Sequence, residues 1–237
     1  MSHAINCGSR AGIGTVTRVR IGVLGTGMVG TAIAGKLVAL GHEVTMGSRE
    51  QGSEKAVAWV EAAGGSAAEG TFADAAAFGE LVFNCTAGLH SVEALESAGG
   101  ENLAGKVLVD VANPLDFSAG MPPTLGICNT DSLGERIQAA FPEARVVKAL
   151  NTINCSLMVD PERVPGDHVV FVCGEDADAK RQVGELVQSF GWPAGRIIDL
   201  GGIRSARGTE MYLAFWLSLW GTFGTGDVNI AVLHAES

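Results

Sequence analysis

The sequence predicts an α/β protein, a doubly wound parallel β-sheet with helices on both faces and a small helix-rich C-terminal part. Short apolar runs rich in Val and Ile alternate with longer segments whose apolar residues recur at helical spacing. This alternation is typical of βαβ units, which build parallel sheets. Hydrophobic residues make up 47% of the 237 residues and charged residues 18%, so the chain can bury a sizeable core.

The predicted elements follow one another in a regular order. The helix after the first strand has Ile33, Leu37 and Leu40 at helical spacing and is stopped by Gly41. Strands are predicted over residues 18–25, 42–48, 80–87, 106–113, 144–152, 167–174 and 196–201. Helices are predicted over residues 29–40, 54–65, 176–191 and about 205–219, and residues 70–79 are predicted to form a loop or a short helix.

A glycine-rich turn joins the first strand to the first helix. It matches G-x-G-x-x-G and comprises Gly25, Thr26, Gly27, Met28, Val29 and Gly30. Gly25 permits the tight turn, Gly27 lets a pyrophosphate approach the backbone, and Gly30 lets the helix pack closely on the strand. The helix N-terminus then offers N–H groups to the phosphates, and Thr26 adds a hydroxyl. This context predicts a Rossmann-type dinucleotide site.

The end of the second strand indicates which dinucleotide is bound. An NAD site usually has Asp or Glu there, on the adenosine ribose, but this sequence has Ser48 followed by Arg49. A hydroxyl and a guanidinium bind a 2′-phosphate, which a carboxylate would repel. Lys55, at the start of the next helix, offers a second positive charge. The pattern favours NADP over NAD.

Four motifs together resemble the F420-dependent NADP oxidoreductase family. They are GTGMVG, GSRE followed by EKA, VLVDVANPL and VVKALNTI, spread over residues 19–154, and the closing ARGTEMYLAFWLSLWG is also similar. The resemblance implies a Rossmann domain for NADP over residues 19–154. Residues 155–237 are expected to form a small C-terminal domain that completes a cleft, where the deazaflavin ring of coenzyme F420 stacks near the nicotinamide.

The resemblance also implies roles for individual residues. Thr26, Ser48, Arg49 and Lys55 are expected to hold the NADP phosphates. The residues expected to border the nicotinamide and its ribose are Thr86, Ala87, Gly88, Asn113 and Pro114. The residues expected to line the hydride-transfer cleft are Ala149, Asn151, Thr152 and Ile153, with Ile153 counted as catalytic.

Few titratable residues lie at the predicted strand ends. His90, just after the third strand, is the candidate to contact substrate or donate a proton, or else it caps the following helix. Lys148 is expected at a sheet end, paired to a carboxylate, and Asp110 is expected to be hydrogen-bonded to backbone. Arg207 and Glu210 are expected to form a surface pair on the last helix.

Three functions fit these features. The leading interpretation is an enzyme that transfers a hydride between NADPH and coenzyme F420 or a similar small-molecule acceptor. The second is an NADPH-dependent reductase of a small carbonyl, imine or metal-chelate substrate, for which His90 is the candidate acid. The third is a non-catalytic NADP-binding sensor module whose apolar last helix binds a partner.

Charge and cysteine content exclude other classes. The net charge of −10 argues against nucleic-acid and anionic-membrane partners, which favour basic surfaces. The five cysteines form no CxxC pair, so no metal site or disulfide framework is expected, and a reducing cytoplasm suits them.

Residues 1–18 are interpreted as a loose leader. The apolar run over residues 211–220 is too short to span a bilayer and predicts a core or homodimer contact.

Overall fold

The computed structural model describes residues 18–235, so the predicted leader lies almost entirely outside the described residues. The strands are β1 (Arg20–Leu24), β2 (Glu43–Ser48), β3 (Ala67–Thr71), β4 (Leu81–Asn84), β5 (Val107–Asp110), β6 (Leu115–Asp116), β7 (Thr124–Leu125), β8 (Arg145–Ala149), β9 (Val170–Cys173) and β10 (Ile197–Asp199). The helices are α1 (Met28–Ala39), α2 (Glu54–Ala63), α3 (Phe72–Phe78), α4 (Ser91–Ala98), α5 (Gly100–Leu103), α6 (Leu133–Ala140), α7 (Cys155–Val159), α8 (Ala177–Ser189) and α9 (Ala206–Phe223). Short 3-10 helices cover Gly88–His90, Pro161–Arg163, Ala194–Arg196 and Ile203–Ser205.

Eight strands form one twisted sheet in the order β10-β9-β8-β5-β4-β1-β2-β3. Neighbouring strands in the part of the sheet ordered β8-β5-β4-β1-β2-β3 all run parallel, and β1 lies between β2 and β4. The strand order therefore reverses at β1, which makes the carboxyl ends of β1 and β4 the topological switch point. Open α/β sheets bind their ligands in the crevice at such a point. The predicted doubly wound sheet is confirmed.

Each face of the sheet carries its own hydrophobic core. Alternate side chains of a strand point to opposite faces, so Val23 and Val109 pack against α1, α2, α7 and α8. Leu24 and Leu108 pack on the other face, against α3 to α6 and the start of α9. The two cores hold the strand ends in fixed relative positions, which is what a site made of loops requires.

The structure differs from the sequence-based prediction at two places in the sheet. β3, with the sequence AAEGT, was not predicted because Thr71 is its single β-branched residue and it has no large apolar residue; it is an edge strand beside β2. β9 pairs antiparallel with β8, whereas a wholly parallel sheet was predicted. The connection from β8 to β9 contains the five-residue helix α7 and the 3-10 helix Pro161–Arg163, but no helix long enough to run the length of the strands, as the helix of a parallel βαβ crossover usually does.

The C-terminal segment continues the same sheet. β10 pairs parallel with β9, and the backbone N–H of Val169 donates to the carbonyl of Ile230, 3.0 Å away, so the chain after α9 returns to β9. The division at residue 154 into two domains stays a prediction. Over residues 18–235, none of the helices combines the length and the apolar character that crossing a bilayer requires.

Candidate cofactor-binding site

A groove of about 780 Å³ opens at the switch point of the sheet. We call it the cofactor groove. It is lined by residues 25–27, 48–53 and 85–87, together with Phe72, His90, Glu93, Ala94 and Ser97. Eight of the predicted site residues lie in this lining: Gly25, Thr26, Gly27, Ser48, Arg49, Thr86, Ala87 and His90. The loops after β1, β2 and β4 therefore meet as the topology predicted.

The turn after β1 has the geometry that a phosphate needs. Gly25 has a φ of +117°, a conformation that L side chains rarely adopt, and a Cβ on Gly30 would clash with the carbonyl oxygen of Gly25. A Cβ on Gly27, by contrast, would meet no atom within 4 Å, so this backbone faces open space. Gly27 is also the N-cap of α1 and provides no side-chain cap. The first N–H groups of α1 are thus available to an anion.

The remaining turn residues lie behind or beside this opening. Met28 is 80% exposed on the first turn of α1, and Val29 packs against the core of the face that α1 covers. Neither is part of the groove lining, and the same holds for Gly30. Within this motif, the groove is therefore formed by Gly25, Thr26 and Gly27.

The end of β2 presents a guanidinium to the groove. Arg49 is exposed and lines the groove, whereas Ser48 is buried and its hydroxyl donates to the carbonyl of Glu50 at 2.6 Å. The proton of Ser48 is thus already used to fix the loop that carries Arg49. Lys55 is exposed on α2 and does not line the groove. Residues 50–53, which connect Arg49 to α2, line the groove instead.

His90 lies at the rim of the groove between the loop after β4 and α4. Its side chain is 63% exposed, and its Nδ1 is 3.6 Å from Oε2 of Glu93. His90 occupies the N-cap position of α4, but its side chain makes no capping hydrogen bond there. His90 is therefore the N-cap residue of α4 by position, as predicted, without a capping hydrogen bond from its imidazole.

Beyond Ala87, the loops after β5 and β8 are joined by a pair of amides. Nδ2 of Asn113 donates to the carbonyl of Asn151 at 2.7 Å, and Nδ2 of Asn151 donates to Oδ1 of Asn113 at 3.0 Å. We call these two side chains the amide pair. A Cβ on Gly88 would clash with the carbonyl of Asn113, so Gly88 lets the loop after β4 approach the amide pair.

The other residues predicted around this cleft are buried. Pro114 and Thr152 are buried beside the amide pair, Ala149 is fully buried within β8, and Ile153 is 6% exposed and belongs to the core under α1 and α7. Leu150, between them, adopts a φ of +61°, which is strained for a branched side chain. This strained turn carries Asn151 to its partner in the loop after β5.

A buried ion cluster lies beneath these loops. Nζ of Lys148 donates to Oδ2 of Asp110 at 2.7 Å, to Oε1 of Glu210 at 2.8 Å and to the carbonyl of Ala112 at 2.6 Å. All three side chains are at most 1% exposed. Burial by itself lowers the pKa of Lys148, but the two carboxylates outweigh it and raise that pKa. Lys148 pairs with carboxylates as predicted, but inside the sheet rather than at its end.

The second carboxylate of the ion cluster is held by a helix. Glu210 accepts the backbone N–H groups of Leu133 at 2.8 Å and Gly134 at 3.0 Å, which begin α6. Burial raises the pKa of Glu210 and Lys148 opposes that rise. The predicted surface pair of Arg207 and Glu210 is therefore wrong: Arg207 donates to Glu135 at 2.7 Å instead. Helical spacing alone did not reveal which side of α9 was buried.

A chain of hydrogen bonds links the ion cluster to the groove. Oδ1 of Asp110 accepts Nδ2 of Asn84 at 2.8 Å, and Oδ1 of Asn84 accepts the hydroxyl of Thr86 at 2.7 Å. The hydroxyls of Thr86 and Ser91 are 2.8 Å apart. Asp110 also accepts the backbone N–H of Ala112 at 3.2 Å, which confirms the backbone bond expected for it.

Sequence reasoning missed several lining residues. Phe72 follows the unpredicted strand β3, and Glu93, Ala94 and Ser97 lie on α4, where helical spacing after His90 was the available signal. Cys85 also contributes to the lining, and burial strongly raises the pKa of its thiol. Among residues 18–235, no group of three or more His, Cys, Asp or Glu side chains is placed to hold a metal ion.

The switch-point groove, the open glycine turn and the free N-terminus of α1 define a dinucleotide-binding protein of the Rossmann class. Comparison with known proteins gives the family. Residues 20–114 match the model of the family described as NADP oxidoreductase, coenzyme F420-dependent. The F420-dependent NADP reductase of Methanothermobacter marburgensis is 30% identical over 85% of this chain and 92% of its own length. This chain belongs to that family of NADP oxidoreductases.

Two other relatives extend the comparison. A crystal structure of a candidate F420-dependent NADP reductase from Arthrobacter sp. FB24 is 54% identical, with a TM-score of 0.87 over 91% of this chain and 100% of that one. Metalloreductase STEAP3 of Rattus norvegicus is 30% identical over 85% of this chain. This chain spans only 38% of the length of that metalloreductase.

Proposed function

We propose that this protein is an NADP(H)-dependent oxidoreductase that transfers a hydride between NADPH and a deazaflavin, coenzyme F420 or a similar acceptor. The observation that carries the proposal is that Arg49, which follows Ser48 where an NAD site has an acid, lines the same groove as the open glycine turn. The family to which the chain belongs supports both partners of the reaction.

The glycine turn binds the pyrophosphate in this proposal. The open backbone at Gly27 admits the phosphates, the N–H groups at the start of α1 donate to them, and the Thr26 hydroxyl adds a donor. Arg49 binds the 2′-phosphate through charge-assisted hydrogen bonds. The proton of Ser48 is held by the Glu50 carbonyl, so Ser48 fixes the loop while Arg49 supplies the charge. Lys55 adds a long-range positive charge from outside the groove.

The loops after β4, β5 and β8 form the reacting end. In this proposal Thr86 and Ala87 contact the ribose of the nicotinamide. The residues that border the nicotinamide ring are Gly88, Asn113, Pro114, Asn151 and Thr152. Ala149 and Ile153 are buried and pack under these loops. NADPH supplies the hydride, and the chain aligns the two rings and excludes water. Because hydride transfer needs no protein acid, the amide pair and apolar walls suffice, and His90 at the rim contacts the acceptor.

A second candidate is reduction of a different small acceptor by the same NADPH site. The metalloreductases among the relatives favour a metal chelate, and the exposed imidazole of His90 offers a contact or proton donor for a carbonyl or imine. The likeness to metalloreductase STEAP3 covers only 38% of the length of that protein, whereas the likeness to the F420-dependent NADP reductase covers 92% of its length, so this candidate ranks second.

The experiment that tests the proposal is an anaerobic assay of hydride transfer. Purified protein is mixed with NADPH and oxidised coenzyme F420, and the absorbance of both is followed. We expect one F420 reduced per NADPH oxidised. NADPH binding without F420 reduction refutes the leading proposal; parallel assays with a ferric chelate and a cyclic imine then test the second. If none of the acceptors is reduced, the non-catalytic sensor interpretation is favoured.

We also propose a homodimer in the cytoplasm, formed through α9. Phe215, Trp220 and Phe223 are 55%, 40% and 63% exposed on this helix. The Tyr212 hydroxyl and the Trp216 indole nitrogen on the same helix are buried without hydrogen-bond partners among the described residues. The test is the solution mass of the wild-type protein and of Phe215→Asp, for which we expect a dimer and a monomer. A wild-type monomer contradicts this proposal.

A further inference from the structure

In the chain of hydrogen bonds below the groove, the donor and the acceptor of every bond are fixed by the group at its buried end. At the buried end, the ammonium of Lys148 uses its three N–H groups on Asp110, Glu210 and the carbonyl of Ala112. Each oxygen of Asp110 therefore faces a donor: Oδ2 faces Lys148, and Oδ1 faces Asn84 and the N–H of Ala112. With a donor facing each oxygen, Asp110 acts only as an acceptor in these hydrogen bonds.

That carboxylate fixes the orientation of the next amide. Because Asp110 only accepts, Asn84 must turn its Nδ2 toward Asp110, 2.8 Å away, and its Oδ1 toward Thr86. Oδ1 of Asn84 then accepts the Thr86 hydroxyl at 2.7 Å and the Thr86 backbone N–H at 3.3 Å. Both donors of Thr86 are thus committed to Asn84.

The fixed direction continues to Ser91. A threonine hydroxyl has one hydrogen, and that of Thr86 lies on Asn84, so Ser91 must be the donor across the 2.8 Å between the two hydroxyls. Asn84 and Ser91 are fully buried, while Thr86 is half-buried and lines the cofactor groove. The hydroxyl of this groove residue therefore has one unused lone pair and no free hydrogen.

We propose that the ion cluster acts as a positioning device that makes Thr86 an obligate hydrogen-bond acceptor, so that the groove selects a ligand hydroxyl that donates at this point. The inference rests on the proposed function, which puts the nicotinamide ribose beside the loop after β4. A hydroxyl of that ribose is the group that donates to Thr86. Thr86 is a binding residue for the cofactor, and Asp110, Lys148 and Asn84 act through it.

The test uses NADPH and two analogues in which fluorine replaces the 2′- or the 3′-hydroxyl of the nicotinamide ribose. Fluorine is close to a hydroxyl in size but donates no hydrogen bond. For the wild-type protein we expect one analogue to bind about 3- to 10-fold more weakly than NADPH, as for the loss of one neutral hydrogen bond. Nucleotide fluorescence gives each Kd.

Three variants separate positioning from a merely structural role. Thr86→Val keeps the shape and removes the acceptor, so the difference between NADPH and the analogue disappears. Asp110→Asn leaves Lys148 paired with Glu210, but the ammonium attracts the new amide oxygen and turns the new amide nitrogen toward Asn84. Asn84 then turns its Nδ2 toward the Thr86 hydroxyl, so Asn84 no longer holds the Thr86 hydrogen. That hydrogen can lie on Ser91 or on the ligand, and the discrimination falls below its wild-type value.

Ser91→Ala is the matched control, because the Thr86 hydrogen still lies on Asn84 and the discrimination stays at its wild-type value. The inference is overturned if wild-type protein binds both analogues as tightly as NADPH, or if Thr86→Val or a folded Asp110→Asn keeps the wild-type ratio. Should Asp110→Asn fail to fold, Thr86→Val decides. Failure of the wild-type protein to bind NADPH refutes the proposed function itself, whereas tight binding without discrimination refutes only this inference.

Discussion

The two ends of the cofactor groove are built in different ways. The end formed by the loops after β1 and β2 is open: it consists of backbone at Gly27, helix N–H groups and the exposed side chain of Arg49. The end formed by the loops after β4, β5 and β8 rests on buried side chains, namely the amide pair and the ion cluster. The first end offers a ligand unpaired backbone N–H groups and an exposed guanidinium, whereas the second end is held in a fixed arrangement by side chains that are hydrogen-bonded to one another.

The difference teaches what each end contributes to stability and to binding. An open glycine contributes little to folding, so substitution there changes binding alone. A buried ion pair is expensive to leave half-made, so substitution there lowers the free energy of unfolding as well as changing binding. The following predictions test this separation, beginning with the largest effect.

Removal of Lys148 is expected to cost the most. In Lys148→Met, the carboxylates of Asp110 and Glu210 remain buried without their cation, and loss of one partner from a buried ion pair typically costs about 3–5 kcal/mol. Denaturant unfolding measures the change in the free energy of unfolding. Arg181→Gln, an exposed control with partners on its own helix, is expected to unfold like the wild type. Equal stability of Lys148→Met and the control would show that the ion cluster does not support the fold.

Two glycines of the same turn are expected to respond oppositely. In Gly30→Ala the new methyl meets the Gly25 carbonyl, and overpacking of this kind costs about 1–3 kcal/mol of stability. In Gly27→Ala the methyl meets no protein atom, so stability is unchanged, but it occupies the phosphate approach and weakens NADPH binding by more than about tenfold. Thermal unfolding and NADPH titration of both variants check the pair. Unchanged NADPH affinity in Gly27→Ala would place the phosphates elsewhere.

The smallest effect is a pH dependence away from both ends of the groove. Burial lowers the pKa of His42 from its ordinary value of 6.5, and its Nδ1 lies 3.3 Å from the backbone nitrogen of Val19. Below pH 6.5 the unfolded chain binds a proton that the folded protein does not, so stability falls as the pH drops. One proton contributes at most about 1.4 kcal/mol per pH unit.

Unfolding curves between pH 7 and pH 5 measure this slope in wild type and in His42→Gln. We expect a shallower slope in His42→Gln, and the wild-type slope in the exposed control His234→Gln. Identical slopes in all three proteins would show that His42 does not titrate differently in the two states.

The two ends of the cofactor groove also differed in how much of them the sequence predicted. The glycine turn and Arg49 were predicted because their partners lie within one βαβ unit of sequence. For the ion cluster, the sequence predicted a carboxylate partner for Lys148 but not which one. Its bonds join residues 38 positions apart for Lys148 and Asp110 and 77 apart for Leu133 and Glu210. Periodicity identified α9 but placed Glu210 on its surface, since no local signal shows that α6 covers it.

The fold showed a similar pattern. Strands with Val and Ile runs, such as β1, β5 and β8, were predicted with ends within three residues of those observed. The alanine-rich edge strand β3 was not predicted, because its pairing with β2 rather than its composition makes it a strand. The reversed direction of β9 was not predicted either, because it depends on the connection from β8 rather than on local composition. The resemblance to a family named the residues around the amide pair, but did not reveal that Ala149 and Ile153 are buried.

The most direct test of the account is a titration of the wild-type protein, Arg49→Ala and Lys55→Ala with NADPH and with NADH. We expect the wild type to prefer NADPH. Arg49→Ala should lose on the order of 1.5–3 kcal/mol, about 10- to 150-fold, of NADPH affinity and little NADH affinity, and Lys55→Ala should change both less. Preference of the wild type for NADH, or NADPH affinity in Arg49→Ala equal to that of the wild type, would contradict the assignment of the groove to NADP.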